Sequence, residues 1–288
     1  MREKRSAAKG MYAASMVIFG TLGLFTRHIP VSSGELALYR AVLAFLLVGL
    51  FLAVSRQKLD WKDAKREIGL LLISGAAMGV NWILLFEAYR YTTISLATLS
   101  YYFAPVLVTA VSPFLFHERP GRRQIFCFAM STAGLVLIVG SGGLEGGSVA
   151  GIFFGLCAAV FYASVILLNK RIRGVPGLFR TLLQFLAAAL VLLPYVLCTG
   201  GIRLGEMDGT GWACLLLVGL FHTGVTYCMY FSSLKELTGQ EASILSYLDP
   251  LTAVFISVAL LGESMSPGQV LGGALILGFT FWNERKSS

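Results

Sequence analysis

Charge is sparse in this chain: of 288 residues only 13% are Asp, Glu, Lys or Arg, and just 15 are acidic. That is too little polar surface to cover an apolar interior of this size, so a water-soluble globular protein is excluded. Histidine occurs three times, at 28, 117 and 222, and the three are scattered. The five cysteines, at 127, 157, 198, 214 and 228, show no CxxC or metal-ligand spacing, so they read as small apolar fillers rather than a disulfide or metal framework. No Walker loop, dinucleotide fingerprint, HExxH or serine nucleophile elbow is present. Chemistry on a bound molecule therefore has little residue support, no cofactor or metal is expected, and energy from ATP would need another subunit. The net charge of +8 is divided among short connections with no basic groove or helix, which argues against a nucleic-acid partner.

What the chain has instead is hydrocarbon: 56% hydrophobic residues and a mean hydropathy of +0.76. Stretches long enough for a helix to cross a bilayer can be laid out ten times, near 10–27, 34–55, 67–89, 93–116, 122–140, 148–169, 175–197, 209–232, 240–261 and 267–284. A barrel would need alternating segments of about ten residues, and the run Leu182–Leu193 does not alternate. The basic start resembles a signal n-region, yet no small-residue cleavage site follows, so the first span is expected to be retained. With the N-terminus inside, eighteen Lys and Arg fall in inner connections against three outside, Arg27, Arg90 and Arg203. The expectation is a multi-pass protein of the cytoplasmic membrane, both termini cytoplasmic, its basic loops touching anionic lipid. Trp61, Trp212 and Trp282 fall near predicted surfaces and suit an aromatic belt.

The second half repeats the first at an offset of 145 residues. Ser100-Tyr101-Tyr102-Phe103-Ala104-Pro105 returns as Leu245-Ser246-Tyr247-Leu248-Asp249-Pro250, Glu118 matches Glu263, and Gln124 matches Gln269. Five spans per repeat forces the halves, 1–144 and 145–288, into opposite orientations. The predicted fold is thus an all-α integral membrane protein of ten transmembrane helices in two inverted five-helix repeats. Small residues one turn apart, at Gly75 and Gly79, at Gly147, Gly151 and Gly155, and at Gly268 and Gly272, predict close helix contacts.

Polar groups at membrane depth are the candidate functional residues. Pro105 and Pro250 lie near the middle of their spans, where a missing amide predicts a kink, structural alone or shaping a cavity as well. Asp249 must face the bundle interior, be paired, or hold a proton, which leaves a binding or proton-coupling role beside a structural one. Its first-half counterpart is Ala104, so the cavity is expected to be chemically lopsided. Glu87 reads as a gate or an interface anchor. Arg40 is long enough to snorkel outward, to pair with Glu35 or Glu87, or to meet a solute carboxylate. His222, Thr226 and Tyr230 recur every fourth residue with Thr223 and Tyr227 beside them, forming a polar-aromatic stripe that is either a cavity wall or a set of interhelical hydrogen bonds. Asn81 and Trp82 map onto Thr226 and Tyr227, and with Tyr101, Tyr102 and Tyr247 they complete a candidate solute-binding set.

The paired segments of the form aromatic-x-x-Pro, then an apolar run, then Glu, namely Tyr102 to Glu118 and Tyr247 to Glu263, resemble the EamA family of the drug/metabolite transporter superfamily, and the resemblance covers nearly the whole chain. It implies ten helices, a central cavity between inverted halves, and export or exchange of small metabolites such as amino acids. It also implies that Glu118 and Glu263 are helix-end structural residues and that Asp249 is the acidic residue many members carry before the second proline. The resulting expectation is a secondary transporter of amino-acid-like or other small amphipathic solutes working by alternating access, with a channel or a lipid flippase as alternatives. Substrate, coupling ion and oligomeric state are left open.

Overall fold

Hydrocarbon offers a peptide group no partner, so each apolar stretch must satisfy its own N–H and C=O groups by coiling. The structure, a computed structural model, describes residues 2–56, 61–116, 121–141, 146–172, 174–202, 204–234, 236–237 and 245–284, and among these no strand occurs. The helices are α1 (Arg2–Gly20), α2 (Leu22–Thr26), α3 (Ser33–Val54), α4 (Trp61–Tyr91), α5 (Ile94–Tyr101), α6 (Ala104–Phe116), α7 (Arg122–Ser141), α8 (Gly146–Arg171), α9 (Gly177–Thr199), α10 (Gly209–Leu216), α11 (Thr226–Leu234), α12 (Leu248–Ala259) and α13 (Pro267–Glu284). A π-helical segment, Leu217–Val225, joins α10 to α11.

Among the described residues six helical stretches are long and apolar enough to cross a membrane: Ser6–Thr26, Ser33–Val54, Ala64–Tyr91, Val149–Arg171, Gly177–Thr199 and Gly209–Leu234. Four more apolar helices are shorter, Ile94–Val108, Ile125–Ile138, Leu248–Ala259 and Pro267–Trp282. One cause of shortening is plain. The span expected over 93–116 is interrupted at Tyr102–Phe103, and Pro105 stands in the first turn of α6, where its missing N–H breaks no helical bond. Pro250 likewise stands in the first turn of α12, just past a turn at Tyr247. Large side chains such as Phe114, Val54, Leu50, Val136 and Phe255 point outward and are fully or mostly exposed, a surface that suits lipid and not water.

Side-chain caps set the helix starts. Ser32 and Glu35 form a reciprocal capping box on α3, Thr93 accepts from Leu96 N–H at 3.2 Å to start α5, and Ser266 with Gln269 does the same for α13. Three helix pairs cross antiparallel. Gly34 of α3 meets Tyr195 of α9 while Gly49 meets Leu182; Ser95 of α5 meets Ser257 of α12 while Tyr102 meets Asp249; Gly134 of α7 meets Gly272 of α13 while Ser141 meets Gly268. At the α7–α13 crossing two glycines face each other so closely that a Cβ on Gly134 would sit 2.6 Å from the Gly272 carbonyl oxygen. Gly75 and Gly79 likewise pack on α9, Gly151 on Thr92, and Gly155 on Ser100.

Candidate functional site

The broken and widened helices converge on one cluster of polar and aromatic side chains, the candidate chamber. Its centre is Arg40, which α3 buries to 4% exposure. The guanidinium lies 4.4 Å from the centroid of the Trp82 ring on α4, with Phe86 one turn further at 5.8 Å. Its Nε–H donates to Thr223 Oγ1 at 2.6 Å, and the Thr223 hydroxyl donates in turn to the Val218 carbonyl at 2.9 Å. That last bond reaches back five residues, as does Thr226 O–H to Phe221 O at 2.8 Å, so the wide turn of the π segment is what presents Thr223 to Arg40.

Opposite stands Asp249 on α12, half-buried, accepting the Tyr102 hydroxyl at 2.6 Å. The break ahead of Pro105 turns Tyr102 toward it. Arg40 is within electrostatic reach of Asp249 and of the hydroxyls of Tyr89, Tyr101 and Tyr227. Around them Tyr101 stacks on Tyr162 of α8 at 5.0 Å, Trp82 packs on Phe185 of α9 at 5.8 Å, and Phe185 meets Tyr227 edge-on at 5.2 Å.

Of the sequence-predicted residues, the structure thus brings Arg40, Trp82, Tyr101, Tyr102, Tyr227 and Asp249 together. Others are drawn off into helix contacts. Asn81 donates to the Ala158 carbonyl of α8 at 2.7 Å; His222 pairs with Thr21 Oγ1 at 2.7 Å, where α1 gives way to α2; Thr226 bonds within its own helix; and Tyr247 packs edge-on against Phe281 of α13 at 5.4 Å. Arg40 does not snorkel: Glu35 is engaged by Ser32 N–H and the Tyr39 hydroxyl, Glu87 pairs with Arg90 at 3.2 Å, and burial over Trp82 replaces both expected partnerships. Glu118 lies outside the described residues. Thr223 stood in the sequence only as a neighbour of the stripe, and Phe185 and Tyr162 carry no periodic signal that would have singled them out.

The two ends of the bundle on either side of this cluster differ. Toward the end carrying Arg27 and Gly200 a cavity of about 660 Å³ opens, lined by Ser33, Glu35, Tyr89, Arg90 and Val196 among others, with Phe86 beneath it. Beside it Glu263 ties three elements: it pairs with Arg27, accepts Ile94 N–H at 3.0 Å at the start of α5, and accepts the Ser257 hydroxyl of α12. Gly262, at φ +66°, makes the turn that delivers Glu263 there. The other end is closed by Tyr12 and Met16 of α1 with Phe19, Tyr230, Leu245 and Leu248, and the rings of Tyr12 and Tyr230 stand 5.2 Å apart.

Asn81→Ala tests the division between chamber and scaffold. Losing one buried hydrogen bond costs about 1–2 kcal/mol, so the expected result is a lower thermal midpoint with the solute KM changed by less than about threefold. A large rise in KM at an unchanged midpoint would instead put Asn81 against the solute.

The comparisons agree with this architecture. A structure solved by crystallography shares the fold at a TM-score of 0.66 with 19% identity, covering 99% of this chain and 100% of that one. The "Uncharacterized transporter YxxF" of Bacillus subtilis is 31% identical over 278 residues, 95% of this chain and 88% of that protein. The "Uncharacterized inner membrane transporter YicL" of Salmonella typhimurium is 26% identical over 293 residues, 94% of each. The sequence model of the EamA-like transporter family matches twice, at 10–140 and at 149–283. With a bundle of helices long and apolar enough to cross a membrane, and with that double match, this multi-pass membrane protein is a transporter that belongs to the EamA-like transporter family.

Proposed function

We propose that the protein is a secondary carrier that moves amino-acid-like or other small amphipathic solutes across the cytoplasmic membrane by alternating access, in export or exchange. The observation that carries this reading is the pair of opposite charges in the chamber, Arg40 on α3 and Asp249 on α12, each from a different half of the chain and each bonded to a hydroxyl rather than to the other. A solute with both an anionic and a polar or cationic end fits between them, and the aromatic walls suit an apolar body.

Ten spans in inverted halves, 1–144 and 145–288, are part of the proposal. The double family match and the three antiparallel crossings between repeat-related helices support it. Inversion gives a carrier two closures of related build, one at each end of a fixed site. Here the closures differ: a vestibule at the Arg27 end and aromatic packing around Tyr12 at the other. The excess of Lys and Arg in one set of connections supports cytoplasmic termini, which puts the vestibule outside.

The test is uptake and counterflow of a panel of radiolabelled metabolites in reconstituted vesicles. Saturable uptake accelerated by solute on the far side is the expected result. Single-channel currents without counterflow would identify a channel, and leaflet exchange of a labelled phospholipid would identify a flippase; either would overturn the carrier reading.

A further inference from the structure

A buried guanidinium needs an anion in contact, and among the described residues this one has none. Arg40 is buried, yet among the described residues no carboxylate lies within ion-pair distance of it and neither Nη nitrogen has a hydrogen-bond acceptor. An isolated cation in a low-dielectric interior is costly, and a Trp face and one hydroxyl offset only part of that cost. Asp249 would be the obvious partner, but it is held by Tyr102. Nε, the one guanidinium nitrogen that cannot join an end-on fork, is the one fixed by protein. The two Nη nitrogens are left in the parallel arrangement that grips a carboxylate with two hydrogen bonds.

We infer, resting on the carrier reading above, that the Nη edge of Arg40 is the docking point for the carboxylate of the transported solute, and that Thr223 is the positioning residue that aims it. The π segment is central to this. In an ordinary α-turn the Thr223 hydroxyl would bond three or four residues back; here it reaches Val218, five back, while its oxygen accepts from Arg40. The corresponding stretch of the first half, 72–80 within α4, is regular α-helix, so the widened turn belongs to one half only. An asymmetric solute needs such a difference, with its carboxylate at Arg40 and its opposite end toward Asp249 and Tyr102.

The experiment uses the full chain. Amino acids, their amides, and the matching decarboxylated amines are titrated into purified protein while the Trp82 share of fluorescence, defined by subtraction of Trp82→Phe, is followed. The same compounds are run in vesicle counterflow. Free acids are expected to bind roughly tenfold or more tightly than their amides, and Arg40→Lys, which keeps the charge but loses the fork, to reduce that preference to about twofold. Thr223→Val is expected to raise KM for the acids roughly tenfold with kcat within twofold, and Thr223→Ser to restore it; thermal midpoints establish that all variants are folded. Counterflow that treats acids and amides alike in the wild type, or an unreduced acid preference in folded Arg40→Lys, overturns the carboxylate subsite and leaves the carrier standing. Absence of counterflow for every compound overturns both.

Discussion

If Asp249 couples protons in the proposed carrier, vesicles carrying Asp249→Asn are expected to lose accumulation driven by a proton gradient, falling to the level of protein-free vesicles, while solute-for-solute counterflow persists. Asp249 is a carboxyl at membrane depth inside the chamber, whereas Glu35 is engaged in a helix cap and Glu263 in a knot at one end of the bundle. In a carrier that works by the proposed alternating access, a carboxyl so placed can gain and lose a proton as the site faces one side and then the other, and Asn keeps its shape without that ability. Tyr102 donates to it across the two halves, so Tyr102→Phe is expected to give a partial loss. Gradient-driven transport that remains pH-dependent and undiminished in Asp249→Asn would remove the coupling role.

The largest effect on stability is expected from Gly272→Val. A Cβ there would collide with the Gly134 carbonyl oxygen and lie 3.1 Å from the Ile138 nitrogen, and backbone cannot swing aside as a side chain can. Forcing the α7–α13 pair apart costs about 3 kcal/mol or more, a fall of about 10 °C in thermal midpoint for a chain of this size. Gly278→Val, on the same helix with nothing within 4 Å of its added carbon, is the matched control and should melt close to wild type. Equal midpoints for the two variants would show that the glycine contact does not hold the pair together.

The sequence made the helices legible because hydrocarbon admits few alternatives, and it pointed to the candidate site through Pro105 with Tyr101 and Tyr102 before it and through Asp249 beside Pro250. Direction within a helix was harder to read. Arg40 could be placed on a span but not on a face, because whether a long cation reaches outward or lies over Trp82 depends on where α9 and the π segment pack. Asn81, His222 and Tyr247 show the same difficulty: the donor that suits a solute also suits a neighbouring carbonyl, hydroxyl or ring, and only packing decides between them. The π segment left a faint trace in Gly219 and Gly224, five residues apart and set against Leu43 and Leu47 of α3, a spacing that no α-periodic pattern singles out.

The glycine contact between α7 and α13 also bears on biogenesis. α7 is made early and α13 after every other described helix, so the groove around Gly134 waits through the insertion of α8 to α12 for its partner. A nascent chain halted before Pro267 leaves that backbone facing lipid acyl tails. The helices made first are therefore not a finished module on leaving the ribosome; α7 is completed only by α13, and a quality-control protease would meet an open seam until then.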